Sequence, residues 1–243
     1  LVMATASELL SEKFALMSVF ERCGGERWKN KTNWGSDEPL RSWFGVGVNV
    51  EGFVMELNLK NNNLRGLFPD SLHALTRLEV IVMDDNYLHG DLPDYALCKI
   101  AHLHVLSACH NQLDGPIPFY SLADCPHLAE IWLSRNQFSG TIPDCVSHLC
   151  VCENQLEGRV PDEICKLRQL KYLSMGLNHL CGIIPARLSE LDKLQIVSFY
   201  GNRFEGPIPD WIETLPDIRV LELFDNPKLT GYVPKSIQDY QRY

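Results

Sequence analysis

From about residue 53 onward the apolar positions keep one order. Short runs alternate apolar and polar, and an asparagine follows three positions after the last apolar residue of each run. Leu57/Leu59, Ile81/Met83, Leu173/Met175 and Leu221/Leu223 are such pairs, five and three positions ahead of an asparagine. Alternation of this kind predicts a strand of a few residues with one face turned inward. One such strand cannot bury its apolar face alone. Stacked copies can, so the pattern predicts a parallel sheet built coil upon coil.

The asparagines are Asn62, Asn86, Asn111, Asn136, Asn154, Asn178, Asn202 and Asn226, spaced 24, 25, 25, 18, 24, 24 and 24 residues apart. They are expected to form a ladder in which each inward amide bonds backbone groups that the turn leaves unmet. A glycine and a proline follow each of them, as at Gly66 and Pro69 or Gly182 and Pro185. The glycine admits backbone conformations closed to other residues, and the proline fixes the next extended stretch. Between proline and next strand, segments such as 162–170 carry apolar residues three apart and predict a 3₁₀ or short helical turn.

The phrase LxxLxLxxNxL followed by Gly-x-apolar-Pro resembles the plant-type subclass of leucine-rich-repeat proteins, typified by plant receptor ectodomains and polygalacturonase-inhibitor-like proteins. The resemblance covers roughly residues 40 to 234. It implies an α/β fold, a right-handed solenoid with a concave parallel sheet. Residues 5–22 carry Leu9, Leu10, Phe14, Met17 and Phe20 at helical spacing and stop at Gly24-Gly25. With the following Trp28, Trp34 and Trp43-Phe44-Gly45-Val46, they resemble that subclass's N-terminal helical cap. The subclass usually places cysteine pairs there; this chain has Cys23 alone in its first 97 residues, and tryptophan packing is expected to take their place. The expected organisation is a cap over 1–52, about eight repeats over 53–235 with a shortened coil at 141–154, and a tail over 236–243. The short spacing between Asn136 and Asn154 reflects either a naturally short coil or six residues absent from the sequence near 149–150.

Composition narrows the function classes. A net charge of −9 and a pI near 5.3 argue against nucleic-acid or anionic-membrane binding. No apolar run approaches the length needed to cross a bilayer. The nine cysteines are odd in number and scattered. His148, Cys150, Cys152 and Cys145 have metal-ligand chemistry at a spacing that matches no standard zinc motif, so free thiols are the expectation, with a disulfide or a metal as alternatives. Asp70, Asp94, Asp144, Asp162 and Asp210 each follow a repeat proline and are expected to cap helical turns. Asn30-Lys31-Thr32 is a lone glycosylation acceptor triplet. His102, His104 and His110 read as solvated surface. No phosphate loop or hydrolase motif is present, and neither cofactor nor metal is expected.

In solenoids of this family the strand residues between the leucines face solvent. Trp132, Tyr172, Tyr200 and Phe224 fall there. Large aromatics on a face with no core to fill are favoured anchors for a partner, and Asp84, His110 and Arg135 would supply a polar rim. The sequence therefore predicts a non-catalytic protein-interaction module. The first expectation is a scaffold or accessory subunit of a larger assembly, intracellular or organellar. The alternative is a secreted recognition module, either a receptor ectodomain or an inhibitor of a wall-degrading glycosidase.

Overall fold

The computed structural model describes residues 5–118, 122, 125–140, 148–166 and 168–232. Cys145, Pro143, Asp144, Pro234, the arc of the short coil over 141–147 and the tail expected over 236–243 lie outside the described residues. The chain divides into two compact units. One comprises residues up to Asp114 with Tyr120–Leu128, the other Gly115–Phe119 with the chain from Ala129 onward.

The first unit begins with helix α1 (Ala6–Arg22), opened by a capping box in which Thr5 Oγ1 accepts the Glu8 N–H and Glu8 accepts the Thr5 N–H. Its buried stripe is Glu12, Ala15, Leu16, Val19 and Phe20. The sequence places Leu10 and Phe14 on the inward face, but both are exposed, at 52% and 66%. The polar Glu12 takes the inward position because its Oε2 accepts the Val54 N–H at 2.9 Å, the first amide of the strand beside it. Glu12 Oε1 is buried without a partner among the described residues, and burial raises the carboxyl's pKa above its usual value.

Behind the helix the three tryptophans pack in sequence: Trp28 against Trp34 at 4.9 Å between ring centroids, and Trp34 against Trp43 at 5.1 Å. Phe20 meets Trp28 edge-on at 5.2 Å. Each indole N–H donates to a backbone carbonyl, of Cys23, Phe44 and Glu38 respectively, so the cluster is dry without being unsatisfied.

From the cap, β1 (Val46–Val48) pairs antiparallel with β2 (Val54–Asn58). β2 then pairs in parallel with β4 (Val80–Val82), and β4 with β6 (Val105–Ser107). A second set of short strands, β3 (Arg65–Leu67), β5 (Tyr87–Gly90) and β7 (Gln112–Leu113), runs after the turns.

The second unit repeats this plan. β8 (Glu130–Trp132), β9 (His148–Cys150), β11 (Tyr172–Ser174), β13 (Ile196–Ser198) and β15 (Val220–Glu222) pair in parallel and in register. β10 (Glu157–Gly158), β12 (His179–Gly182), β14 (Arg203–Pro207) and β16 (Lys228–Thr230) form its second sheet. The short coil supplies a strand like any other: Leu149 lies opposite both Ile131 and Leu173.

In β4, β8, β9, β11 and β15 the middle residue is buried while its neighbours are partly exposed. Opposite the sheets the coils return through 3₁₀ turns at Asp70–Ala74, Asp162–Lys166, Ala186–Glu190 and Asp210–Thr214, and through a single helical turn at Asp94–Leu97. The cap position of the 70, 94 and 210 turns is the proline itself, so Asp70, Asp94 and Asp210 stand in the first turn and do not cap it. There a carboxylate favours the positive end of the turn, and Asp70 additionally pairs with Arg22 at 2.7 Å.

The asparagines bind consecutive coils together. Asn178 Nδ2 donates to Met175 O of its own strand and to Val151 O of the preceding one, both at 3.0 Å, while its Oδ1 accepts the Leu156 N–H at 3.0 Å. Asn86, Asn154, Asn202 and Asn226 repeat this arrangement within their units. Asn111 does likewise with Met83 O, Ala108 O and the Leu88 N–H, and Asn136 Nδ2 donates to Leu133 O. At the start of the series Asn62 meets the cap, exchanging two hydrogen bonds with the backbone of Asn30. The residue ahead of the asparagine adopts a left-handed conformation in coil after coil, whether Asp85, His110, Arg135, Glu153, Leu177 or Asp225.

Candidate functional site

The outward strand positions of the second unit form three columns. In-register pairing aligns Glu130, His148, Tyr172, Ile196 and Val220 in the first, and Trp132, Cys150, Ser174, Ser198 and Glu222 in the second. Ser134, Cys152, Gly176, Tyr200 and Phe224 follow two residues later, each two positions ahead of its asparagine.

The aromatic residues gather into two groups. Trp132, His148 and Tyr172 make one. The His148 ring lies 4.6 Å from Tyr172 and 6.4 Å from Trp132, near parallel to both. Partial burial between them lowers the His148 pKa from its ordinary value, although Glu130 pulls the other way. Glu130 also accepts the Trp132 indole N–H at 3.0 Å, which fixes that ring's orientation. Tyr200 and Phe224 make the second group, stacked at 4.9 Å.

Small side chains lie between the two groups: Cys150, Ser174 and Ser198 in the middle column, Gly176 beside them. Gly176 is required by shape, because a Cβ there would sit 2.2 Å from the Tyr200 ring. Tyr200 therefore lies across the coil before its own. Desolvation, then the negative charge of Glu153 and Glu222 nearby, raises its phenol pKa. The product is a surface with aromatic walls and a narrow polar floor.

All seven expected partner-binding residues lie at outward strand or turn positions. Trp132 and Tyr172 come together through His148, and Tyr200 and Phe224 come together directly. Arg135, at the edge of the same unit's face, pairs with Glu153 at 2.6 Å. His148 is the member that the aromatic reading missed. Alternation along 148–152 puts it on this face, but a search for large apolar residues passes over a histidine.

The outward face of the first unit has different chemistry. Glu56, Asn58, Lys60, Val80 and Val82 occupy equivalent positions. Asp84 accepts the Ser107 hydroxyl at 2.6 Å and the Cys109 N–H at 2.9 Å, and pairs with Lys60 at 3.7 Å. His110 lies 3.2 Å from Asp85, which Lys60 also approaches. Asp84 and His110 thus serve a charged network within that face. The histidines at 102, 104 and 127 stack at 5.6 to 6.1 Å along the unit's border. Among the described residues no cluster of histidine, cysteine and carboxylate has the makings of a metal site.

Comparison with known proteins agrees with this architecture. A family model described as Leucine Rich Repeat matches residues 53–75, 127–149 and 193–215. A probable leucine-rich repeat receptor-like protein kinase of Arabidopsis thaliana is 31% identical over 94 residues, 37% of this chain and 8% of that relative. Protein MALE DISCOVERER 1 of the same plant is 34% identical over 88 residues, 35% of this chain and 12% of the relative. The matches thus span small fractions of these longer relatives. Among solved structures, the plant peptide hormone receptor RGFR1 in complex with RGF2 superposes with a TM-score of 0.69 at 32% identity, over 73% of this chain and 29% of that one. The ectodomain of the Arabidopsis receptor kinase HAESA superposes with a TM-score of 0.73 over 95% of this chain and 44% of that one; at 24% identity the likeness is one of fold. Matching repeats, the inward asparagines and the glycine–proline turns converge: the chain is built of leucine-rich repeats and resembles the plant-type subclass.

Proposed function

We propose that this chain is a ligand-recognition module working outside the cell, as part of a receptor ectodomain, and that it takes an extended peptide segment on the strand face of its second unit. The observation that carries this reading is the pair of aromatic groups flanking a floor of small residues. An extended segment laid along such a floor can bury apolar side chains against the rings and bond its backbone to the partly exposed Ser174. The hormone complex of RGFR1, at 32% identity, supports peptide as the ligand class. The acidic balance of the chain favours a ligand with basic residues.

The test is capture from a random peptide library by the intact chain and by the Trp132→Ala/Tyr200→Ala double variant. The expected result is loss of the selected peptides with an unchanged melting temperature. Equal capture by both proteins would refute the site.

One observation favours the second reading, a scaffold subunit in a reducing compartment. Among the described residues Cys23 and Cys165, both in the core, are free thiols, and oxidising compartments favour disulfides. Glycosylation separates the two readings. The Asn30 side chain is partly exposed and accepts the Thr32 hydroxyl at 2.7 Å. Endoglycosidase treatment of the native protein is expected to shift its mass in the secreted case and to leave it unchanged in the other.

A further inference from the structure

The narrow floor of the second unit contains two thiols whose surroundings differ from those of the other cysteines. Cys150 and Cys152 lie two residues apart on the outward side of β9 and its continuation. Ser134 Oγ is 3.1 Å from Cys150 Sγ, and the same oxygen accepts the Cys152 N–H at 3.1 Å. While it accepts that N–H, the Ser134 hydroxyl still has its proton to donate to a Cys150 thiolate. Cys152 Sγ in turn lies 2.8 Å from Ser174 Oγ. Each thiol thus has a hydroxyl beside it, and the Cys152 backbone N–H ties the two pairs together.

Elsewhere the thiols are donors themselves. Cys23, Cys98 and Cys125 point their Sγ at the carbonyls of Leu67, Tyr95 and Leu97. Cys23 is also buried, which pushes its pKa up to about 12.

We propose that Cys150 is a modification site, a half-exposed thiol readied by Cys152 and Ser134 for attack on peroxides and small electrophiles. Hydrogen bonding from Cys152 lowers the Cys150 pKa, and the serines add to it against the opposing effect of burial. Cys152 is raised by the same bond and by burial, and stays protonated. With a peroxide, the Cys150 thiolate attacks one oxygen. An S–O bond forms, the O–O bond breaks, sulfur gives up two electrons, and the departing hydroxide takes up the proton that the thiol released to solvent, leaving as water. The product is a sulfenic acid beside Trp132 and Ser174, its in-register neighbours on either strand. The added group stands on the floor between the aromatic walls and hinders a ligand there; this consequence, unlike the reactivity, rests on the reading of that face as a peptide site.

The test uses the full chain, treated at pH 6 and pH 8 with limiting iodoacetamide, or with hydrogen peroxide followed by dimedone, and analysed by peptide mass spectrometry. Cys150 is expected to label roughly tenfold faster than Cys98, Cys109 or Cys181 at pH 6. Ser134→Ala and Cys152→Ser are each expected to slow it severalfold at pH 6 and much less at pH 8, where more of an unassisted thiol ionises. Labelling of wild-type Cys150 no faster than these three thiols would overturn the proposal. Peptide capture by the Cys150-alkylated protein is expected to fall severalfold. Rapid labelling with undiminished capture, by a protein that the Trp132→Ala/Tyr200→Ala exchange still disables, would overturn the regulatory consequence alone.

Discussion

The two units use one coil plan and differ in the chemistry of their outward strand positions. In the first, outward strand positions carry polar groups that engage one another: Lys60 pairs with Asp84 and Asp85 across neighbouring strands, and His110 lies against Asp85. In the second, the same positions carry aromatic rings that stack in two groups with small residues between. The inward residues hardly differ, since leucine-type side chains and asparagines hold both units together. What a solenoid of this kind recognises is thus set by residues that its folding leaves free. A self-paired polar face offers a partner little net attraction, because exposed ion pairs contribute about 0–1 kcal/mol each. Exposed rings have more apolar area to bury.

The largest test of this contrast is a pair of double variants. Trp132→Ala/Tyr200→Ala is expected to cost at least about 3 kcal/mol in ligand affinity, as loss of two interface anchors does. Val82→Ala/His110→Ala, on the other face, is expected to change affinity by less than about 0.5 kcal/mol; titration calorimetry with a selected peptide measures both. A similar loss from both pairs would erase the distinction.

Folding should show no such asymmetry. Asn178→Ala strands backbone groups of two coils and is expected to destabilise by about 1–3 kcal/mol. Asn86→Ala in the first unit should match it, as chemical denaturation can show. An intermediate effect is expected of Gly176→Ala. Its methyl group would displace the Tyr200 ring, weakening ligand binding by about 1 kcal/mol or more while the tyrosine fluorescence changes.

Glu12 gives the first unit a pH dependence. Its folded pKa is raised, so the native state holds a proton that the unfolded chain releases earlier. Its contribution to stability is full below the ordinary glutamate range and falls as pH rises through the raised value. Glu12→Gln is expected to flatten the stability profile above pH 4, and an unaltered slope would place the proton elsewhere. The smallest effect expected is at Leu177, which holds a left-handed conformation at φ 52° where the next coil has Gly201. Leu177→Gly should raise stability by up to about 1 kcal/mol.

The periodic part of the molecule was open to reading because each coil repeats the same physical requirement. Eight asparagines at near-constant spacing stated where strands lie, which residues face inward and which side chains close the turns. The aromatic positions followed from the same alternation. What could not be read was how outward neighbours combine. Trp132 and Tyr172 are a group because His148, in the coil between them, is flat enough to fill the gap. Tyr200 lies back over the preceding coil because position 176 happens to be glycine. The cap was misjudged in one respect. Helical spacing of Leu10 and Phe14 suggested burial, whereas Glu12 won the inward place through a hydrogen bond to Val54 that no pattern of hydrophobicity encodes.

The backward reach of each asparagine makes a coil resemble a plug with a socket on its other side. Its side chain enters the coil before, and its backbone receives the side chain of the coil after. Any coil can then follow any other, so a gene of this kind can lengthen by copying one segment, with every joint closed at once. Asn30 shows that the first plug needs no earlier copy to receive it, only an open N–H and C=O held at the right place.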